Sequence, residues 1–415
     1  MADVNQSLAS STSAANRALW ISTVAFTLCF AVWTLFAIIG IRIKQELGLS
    51  EAEFGLLIGL PVLTGSLSRI LLGIWTGRHG GRLVYTATML AAALATFLLS
   101  RASTYPEMLI AGLGVGLAGG SFAVGVAYVS PFFPPERQGT ALGIFGAGNV
   151  GAAVTKFLAP FVLLAWGWQA VAEIWALALA VMAVVFWFTT SDDPEHRRRK
   201  LHGHAPKPFL QEFAPLKNPR VWRFSLYYFF AFGGFVALSL WLPRYLVGAY
   251  GFDLETAGMV ATAYSIPGSI FRAYGGVLSD RIGARAVMYL VFLVSAVATA
   301  ILALPATPPF AIGPIVFVVA VFVLGFVMSL GKAAVFKHVA AYYPESIGAV
   351  GGVVGMVGGL GGFVLPVAFG ILKDMTGLWS SCFLLLFFLI AVSLCWMHRT
   401  VRRIPASAAR PGASA

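Results

Sequence analysis

Twelve apolar stretches occupy most of this chain, and each is long enough to cross a lipid bilayer as a helix. A bilayer needs roughly 20 apolar residues per helix, so 415 residues hold about twelve helices with short loops between them. We therefore predict an all-α membrane protein with twelve transmembrane helices, at roughly 18–41, 52–76, 83–100, 107–131, 139–166, 168–188, 221–247, 254–279, 285–304, 309–340, 346–372 and 378–398.

The composition excludes the common soluble classes. Of the residues, 59% are hydrophobic and 11% are charged, whereas a soluble protein carries about 25% charged residues. A cytosolic enzyme, a disulfide scaffold and a disordered chain are therefore excluded. The three cysteines lie in apolar stretches without CxxC spacing, which predicts neither a metal site nor a disulfide. Metalloprotease, nucleotide-binding and haem-binding motifs are missing too, so we expect no cofactor and no enzymatic activity.

The charges of the loops predict how the chain sits in the membrane. With both termini on one side, that side receives 18 lysines and arginines in its loops and tails, and the opposite side receives five. Cytoplasmic loops carry the excess of Lys and Arg, so we expect both termini in the cytoplasm of a cell bounded by a bacterial inner membrane. The net charge of +12 therefore reflects orientation and does not indicate a nucleic-acid partner.

The largest polar stretch divides the apolar stretches into six and six. We predict a cytoplasmic N-terminal tail over 1–17, a six-helix bundle over 18–188, a linker over 189–220, a second bundle over 221–398 and a cytoplasmic tail over 399–415. The linker contains the basic run His196-Arg-Arg-Arg-Lys200. We interpret this run as a topology anchor, with a lipid-binding or partner-binding site as the alternative.

The two predicted bundles repeat each other in sequence. A shift of 203 residues matches the second stretch to the eighth and pairs Gly48 with Gly251, Gly55 with Gly258 and Arg69 with Arg272. A further shift of 209–210 residues pairs Phe132-Phe133-Pro134 with Tyr342-Tyr343-Pro344. Two pseudo-symmetric six-helix halves are typical of duplicated transporters, which bind substrate where the halves meet.

Two loops resemble the G-x-L-x-D-R-x-G-R motif of the major facilitator superfamily. They read Gly73-IWTGRHGG-Arg82 and Gly276-VLSDRIGA-Arg285, after the second and the eighth stretch. Gly77 stands where the first copy should carry its acid, so that loop lacks the carboxylate that would latch the halves together. The charged residues of the two loops are candidates for gate contacts and not for substrate binding: Arg78, Arg82, Asp280, Arg281 and Arg285.

Cations outnumber acids inside the predicted spans. Glu173 is the one acid there, against five cations: Arg69, Lys156, Arg272, Lys332 and Lys337. A charge at membrane depth costs at least about 2.5–3.5 kcal/mol, so it faces a cavity and is usually paired. Since we expect no acidic partner for these cations, the cavity is predicted to bind an anion. Arg69 and Arg272 share a repeat position, and a guanidinium offers a planar fork of donors to an oxyanion.

Anion uptake also requires an energy source. Moving one negative charge into a cell against 100 mV costs about 2.3 kcal/mol. Accumulation therefore takes at least two co-transported protons, or exchange against an outgoing anion. Symport needs a group that changes protonation, and the candidates for coupling are Lys156, Lys332, Lys337 and His338. Because Lys332 and Lys337 are five residues apart on a helix, at most one of them is expected to face the cavity.

Glycines are concentrated in two runs. Residues 112–151 hold 11 of the chain's 45 glycines, and residues 348–370 hold nine. Glycine lets helices approach backbone to backbone and leaves a cavity unfilled by side chains. The runs therefore predict a small, slim cargo.

Two stretches that overlap these runs resemble the paired glycine-rich motifs of the nitrate/nitrite porter family within the major facilitator superfamily. The two motif stretches cover residues 119–161 and 331–366, and the resemblance extends over essentially all twelve apolar stretches. It implies transport of nitrate, with nitrite as a further cargo. In that family two arginines clamp the nitrate and aromatic rings enclose it. The positions that match its binding residues are Arg69, Arg272, Phe122, Tyr228, Phe232 and Asn149.

Departures from the family pattern indicate its branch. Lys332 stands where members often have asparagine, and Thr155-Lys156 and Phe336-Lys337 resemble the branch associated with proton-coupled nitrate uptake. The expected partners are nitrate or nitrite, protons and membrane lipids, and we expect a monomer. A nitrate/nitrite antiporter and a facilitator transporter of another small anion stay open as alternatives. A membrane sensor would need a signalling domain, for which the 189–220 linker is too short.

Overall fold

Helices make up nearly all of the described chain. The computed structural model describes residues 2–194, 196–198, 217–304, 312–343 and 347–402, and no strand occurs among them. The helices are α1 (Ala2–Trp33), α2 (Phe36–Leu47), α3 (Glu51–His79), α4 (Gly81–Leu99), α5 (Tyr105–Val115), α6 (Leu117–Val129), α7 (Pro135–Gly146), α8 (Gly151–Thr189), α9 (Pro219–Tyr228), α10 (Phe235–Tyr250), α11 (Leu254–Ile270), α12 (Arg272–Ile282), α13 (Ala284–Leu302), α14 (Pro314–Tyr342), α15 (Ile347–Thr376) and α16 (Ser381–Arg402). Short 3₁₀ turns cover Ser130–Phe132 and Ala147–Val150, and a π-helical segment covers Phe229–Gly234.

The predicted twelve-span architecture is confirmed within these residues. Ten helical segments of the described chain are long and apolar enough to cross a membrane. One of them, Thr140–Thr189, bends at Gly167, where φ is 86°, and therefore holds two spans. The helices α11 and α12 together form the remaining span. The fold is that of an integral membrane protein with two six-helix halves.

The chain ends differ in part from the prediction. Helix α1 begins at Ala2, so the segment interpreted as a polar tail over 1–17 continues the first helix. Alanine and serine supply 8 of its 17 residues, and neither glycine nor proline occurs there, so no strong helix breaker interrupts the helix. Residues 195 and 199–216 of the predicted linker lie outside the described residues, as do residues 403–415 of the C-terminal tail.

The backbone repeats itself between the halves as the sequence does. The helix before the second span ends at Gly48 with φ of 64°, and its repeat partner Gly251 has φ of 68°. Gly80 and Gly283, which follow the second and eighth spans, have φ of 86° and 85°. A side chain at these angles would be strained, so glycine is required at each of the four turns.

Helices α3 and α15 form the main contact between the two halves, and they run antiparallel. A Cβ on Gly55 would lie 2.3 Å from the carbonyl oxygen of Pro366, and one on Gly59 would lie 3.0 Å from that of Phe363. Further along α3, a Cβ on Gly73 would meet no described atom within 4 Å. The helices therefore touch where α3 begins and separate where it ends. We call the end of the molecule at Glu51 the closed end and the end at Arg78 the open end.

Ion pairs reinforce the closed end. Arg244 of the C-terminal half approaches Glu51 of the N-terminal half, with 2.5 Å between Nη2 and Oε1. The carboxylate of Asp374 accepts hydrogen bonds from the backbone N–H groups of Glu51 and Ala52 at the start of α3. Acids at a helix N-terminus are stabilising there. The sequence assigned Glu51 to a loop, whereas the structure buries it at the interface between the halves.

Substituting Gly55 by alanine should weaken this closure. The added methyl group would enter the space of the Pro366 carbonyl, so α3 and α15 must move apart at the closed end. We expect faster maleimide labelling of a cysteine introduced at Val62, which is buried there, in a background without the native cysteines. Gly73→Ala is the matched control on the same helix. Equal labelling rates in the two alanine variants would contradict the closure described here.

Candidate functional site

Helix interruptions within several spans meet at the centre of the molecule. Helix α1 ends at Trp33, the 3₁₀ turn Ala147–Val150 interrupts the fifth span, and the π-helical segment Phe229–Gly234 interrupts the seventh. The break between α11 and α12 directly precedes Arg272. Broken helices near mid-membrane are common at transporter binding sites, because they turn backbone and side chains toward a cavity.

Arg69 lies at the last contact between α3 and α15. Its side chain is buried, with 7% of the residue exposed, and Nη1 donates a hydrogen bond to the carbonyl of Gly355 at 3.2 Å. The guanidinium carbon is 5.0 Å from the ring centre of Phe232 and 5.8 Å from that of Phe122. Its Nε is buried and has no hydrogen-bond partner among the described residues. Arg69 therefore retains an unused donor.

Arg272 reaches the same aromatic ring from the other half. Its guanidinium carbon is 5.5 Å from the ring centre of Phe122 and 6.0 Å from that of Phe336. Phe122 therefore contacts both arginines. Within the described chain, neither arginine is ion-paired with a carboxylate. The pseudo-twofold relation inferred from the repeat brings the two guanidinium groups to one place.

Aromatic rings complete this cluster. Tyr228 stacks on Phe232 with 5.2 Å between ring centres and 9° between planes, and it meets Phe336 edge to face at 5.0 Å. Phe145 stacks on Phe122 at 5.8 Å. The family resemblance identified Phe122, Tyr228 and Phe232; Phe122 and Phe232 lie against the arginines, and Tyr228 packs on Phe232 and Phe336. We call Arg69, Arg272 and these rings the arginine–aromatic cluster.

Glycines of the two runs make room for the cluster. A Cβ on Gly359 would lie 2.6 Å from Oγ of Ser66 and 3.4 Å from Nη1 of Arg69. A Cβ on Gly146 would lie 3.7 Å from Nη1 of Arg272. Both glycine runs therefore border the arginines, one from each half. A larger residue at Gly359 would collide with Ser66 and crowd the guanidinium of Arg69.

Asn149 occupies the 3₁₀ turn Ala147–Val150, which packs against α1 and α11. The residue is buried, and its Nδ2 has no hydrogen-bond partner among the described residues. A buried amide nitrogen without a partner is destabilising unless something else accepts from it. A role for Asn149 in binding stays a prediction, since no contact between Asn149 and either arginine occurs among the described residues.

Lys156 joins the two halves away from the cluster. It is buried in α8, and its Nζ donates to Oγ of Ser239 at 2.5 Å and to Oγ of Ser265 at 2.6 Å. Lys332 is equally buried, but it donates to the carbonyl of Gly268 and lies over the Phe235 ring within its own half. Of these two lysines, Lys156 alone is held by groups of the opposite half.

The structure corrects the prediction for Lys337. We expected no acidic partner for the cations of the spans, but Nζ of Lys337 is ion-paired with Asp280. Their side chains are 51% and 61% exposed. The prediction was wrong because Asp280 lies near the end of α12, and α12 packs against α14, a contact that sequence distance conceals. His338 stacks on Phe224 at 5.5 Å, at the open end and away from the cluster.

The gate-loop residues have separate partners. Arg82 donates from Nε to the carbonyl of Trp187 at 3.0 Å and lies 4.2 Å from that ring. The carboxylate of Asp193 in the linker accepts a hydrogen bond from the backbone N–H of Gly81 and so caps the start of α4. This carboxylate lies beside the first gate loop, which lacks the acid of the family motif. The remaining loop arginines Arg78 and Arg281 are exposed, and Arg285 is half-buried.

Sequence reasoning missed two members of the site. Trp33 lies 5.9 Å from the guanidinium carbon of Arg69 and donates from Nε1 to the carbonyl of Pro61. Phe336 contacts both Arg272 and Tyr228. Trp33 lies outside both repeats and both glycine runs. Phe336 lies inside the family-motif stretch 331–366, and that motif is the sequence signal that could have identified it as a site residue. Among the described residues, no three His, Cys, Asp or Glu side chains are grouped to hold a metal ion.

Comparison with known proteins places the chain among transporters. A model of the Major Facilitator Superfamily matches residues 21–261 and 245–415. The chain is 43% identical to a protein of Thermus thermophilus named probable nitrate/nitrite antiporter NarK1, over 94% of this chain and 92% of the relative. It is 36% identical to the probable nitrate/nitrite transporter NarK2 of Mycobacterium tuberculosis, over 86% and 88%.

Solved structures share the fold at low sequence identity. A bacterial homologue of the human lysosomal transporter Spinster superposes with a TM-score of 0.73 at 17% identity, over 94% of this chain and 97% of that chain. The nucleoside transporter NupG superposes with a TM-score of 0.72 at 17% identity, over 92% and 99%. These similarities concern the fold alone.

Proposed function

The chain belongs to the Major Facilitator Superfamily and, within it, to the nitrate/nitrite transporter family, and from this premise we propose that it carries nitrate across the bacterial inner membrane by alternating access. Nitrite is the second cargo. The observation that carries the proposal is the arginine–aromatic cluster, in which Arg69 and Arg272 face one ring without an ion-paired carboxylate among the described residues. Arg69 is buried and Arg272 is half-buried, and two such cations without acids favour an anionic cargo.

The shape of the cluster favours a small planar anion. Guanidinium planes donate in-plane forks to oxygen atoms, and ring edges carry partial positive charge. A planar monovalent ion fits between such groups better than a tetrahedral phosphate does. The glycines beside Arg69 and Arg272 leave space for a slim cargo and exclude bulky side chains from the cavity.

We assign the open end to the cytoplasm. The Arg78 and Arg285 loops lie at this end, and the excess of loop cations marks the cytoplasmic side. The structure then corresponds to an inward-open state with both termini cytoplasmic. The bundles 18–188 and 221–398 would rock about the cluster, and each monomer would hold a complete pathway in its lipid bilayer.

For the energy source we propose symport with protons, with Lys156 as the proton-carrying group. It is buried between the halves. Among the described residues, its side-chain hydrogen-bond partners are the hydroxyls of Ser239 and Ser265. A lysine held by hydroxyls can release its proton without breaking an ion pair. Lys337 fits this role less well because Asp280 neutralises it in an exposed position.

Nitrate/nitrite exchange is the second candidate mechanism. The relative from Thermus thermophilus carries the word antiporter in its name, and exchange of one monovalent anion for another moves no net charge. Exchange would leave Lys156 with a purely structural role. The two mechanisms differ in what must be present on the opposite side of the membrane.

A pH gradient should drive nitrate uptake by itself. In proteoliposomes without internal nitrite, we expect an imposed inward proton gradient to accumulate labelled nitrate above its equilibrium level, because each anion enters with at least two protons. A protonophore should abolish the accumulation, and protein-free liposomes provide the background. Uptake that requires internal nitrite and ignores the pH gradient would favour exchange and refute symport.

A further inference from the structure

A basic cleft lies at the open end of the C-terminal half, apart from the arginine–aromatic cluster. It is a shallow depression that is partly open to solvent. Helices α9, α13, α14 and α16 contribute to its wall through Arg223, Arg285, His338 and Thr400. None of these four residues contacts the transport cluster. We call this the basic cleft.

The charge of the basic cleft is one-sided. Arg223 and Arg285 both line it, and none of its lining residues is an acid. Among the described residues, neither arginine is ion-paired with a carboxylate. The guanidinium of Arg223 lies over the Phe224 ring at 5.3 Å, which orients it. Two arginines from helices α9 and α13 thus line one space with no described counter-charge.

An unused hydroxyl group adds a second observation. Tyr227 lines the basic cleft and is 1% exposed, and its hydroxyl is buried without a hydrogen-bond partner among the described residues. A buried hydroxyl without a partner is destabilising. A ligand with several acceptor oxygens would satisfy this donor together with the two guanidinium groups.

The position of the basic cleft suits a membrane surface. Trp222 and Trp396 flank it in sequence, next to Arg223 and Met397, and both are exposed on the outside of the bundle. Tryptophan is enriched at the depth of lipid headgroups. Basic pockets between transmembrane helices at this level bind phosphate-bearing lipid headgroups.

We propose that the basic cleft binds a phosphate group, presented by the headgroup of an anionic phospholipid or by a free phosphate ion. Arg223 and Arg285 bind its oxygens, and Tyr227 donates a further hydrogen bond. Occupation ties α9 to α13 and so stabilises the C-terminal half. The site shares no residue with the arginine–aromatic cluster, although Arg285 belongs to the second gate loop and His338 is one of the coupling candidates.

Thermal unfolding of the purified full-length protein in a non-ionic detergent tests this site. The probes are water-soluble dihexanoyl phosphatidylglycerol, the matching phosphatidylcholine, and inorganic phosphate. A ligand that binds the folded state raises the Tm in a saturable way. We expect the half-saturating concentration to rise at least tenfold in Arg223→Gln and in Arg285→Gln. Arg399→Gln, which removes a nearby exposed charge outside the basic cleft, serves as the matched control.

The arms of the experiment separate the two sources of phosphate. Saturable stabilisation by phosphatidylglycerol, with inorganic phosphate much weaker, assigns the site to a lipid headgroup. Equal half-saturation by inorganic phosphate assigns it to a free ion. The proposal is overturned if neither probe stabilises the wild type, if both arginine variants respond like wild type, or if Arg399→Gln loses the response equally. A single cooperative unfolding transition and a monodisperse elution profile verify that each variant is folded.

Discussion

Lysine at position 69 or 272 should weaken nitrate binding by about 10- to 100-fold. The substitution keeps the positive charge but removes the planar fork, so at least one charge-assisted hydrogen bond to the anion is lost, and such a bond contributes about 1.5–3 kcal/mol. At position 69 the loss should be greater, because Arg69 also donates to Gly355 and contacts the rings of Phe122 and Phe232. A lysine ammonium has no planar fork of donors, so it cannot replace the guanidinium in all of these contacts at once.

Nitrate titration of purified variants by isothermal calorimetry measures this effect. Arg101→Lys is the matched control, since Arg101 lies on the surface and is ion-paired with Glu173 far from the cluster. We expect wild-type affinity in the control and greatly weakened binding in the two cluster variants. Wild-type nitrate affinity in either Arg69→Lys or Arg272→Lys would rule out that residue as part of the clamp.

Lys156→Met should separate transport from its energy source. Methionine fills the same buried space without a charge, so the contact between α8, α10 and α11 should persist as a packed apolar contact. Without the ammonium group no proton can be carried, and we expect pH-driven accumulation to fall to the level of protein-free liposomes. Nitrate counterflow, which needs no proton movement, should continue.

A second variant keeps this test specific. Lys337→Met removes a cation that is exposed and already paired with Asp280, and we expect it to retain at least half of the wild-type accumulation. If Lys337→Met loses the accumulation and Lys156→Met keeps it, the coupling role moves to Lys337. If both variants accumulate nitrate normally, neither lysine carries the proton.

The fold was predictable because its signals are local or repeated. Twelve apolar stretches predicted the spans, and the break between the fifth and sixth was placed next to Gly167, where the backbone bends. Family membership, predicted from the glycine runs, is confirmed by the relatives. The pairing of Arg69 with Arg272 followed from the internal repeat, since symmetry relates positions that are 203 residues apart.

Contacts without a repeat partner could not be predicted. Glu51 and Arg244 are 193 residues apart, and no motif connects them, so the buried ion pair of the closed end was missed. The Lys337–Asp280 pair was missed for the same reason, and the expectation of an unpaired cation there was wrong. Lys156 was recognised as buried, but its hydroxyl partners on α10 and α11 depend on how the two halves pack.

Aromatic residues show the same limit within the site. The chain is 13% aromatic, so ring content alone selects no position. Phe122, Tyr228 and Phe232 were found through the family motif. Trp33 was not found, because its place at the site depends on where α1 ends and on its hydrogen bond to the carbonyl of Pro61. The packing of the helix interruptions around Arg69 decides which aromatic rings lie at the site.

Counterflow of labelled nitrate tests whether the two arginines hold the transported anion. Proteoliposomes preloaded with unlabelled nitrate, at equal pH on both sides and with the membrane potential clamped to zero, are diluted into a trace of labelled nitrate. We expect a transient overshoot of internal label that Arg69→Lys abolishes, with excess phosphate or formate leaving it unchanged. No overshoot above protein-free liposomes, or an overshoot suppressed equally by phosphate and formate, would contradict a nitrate site between the two arginines.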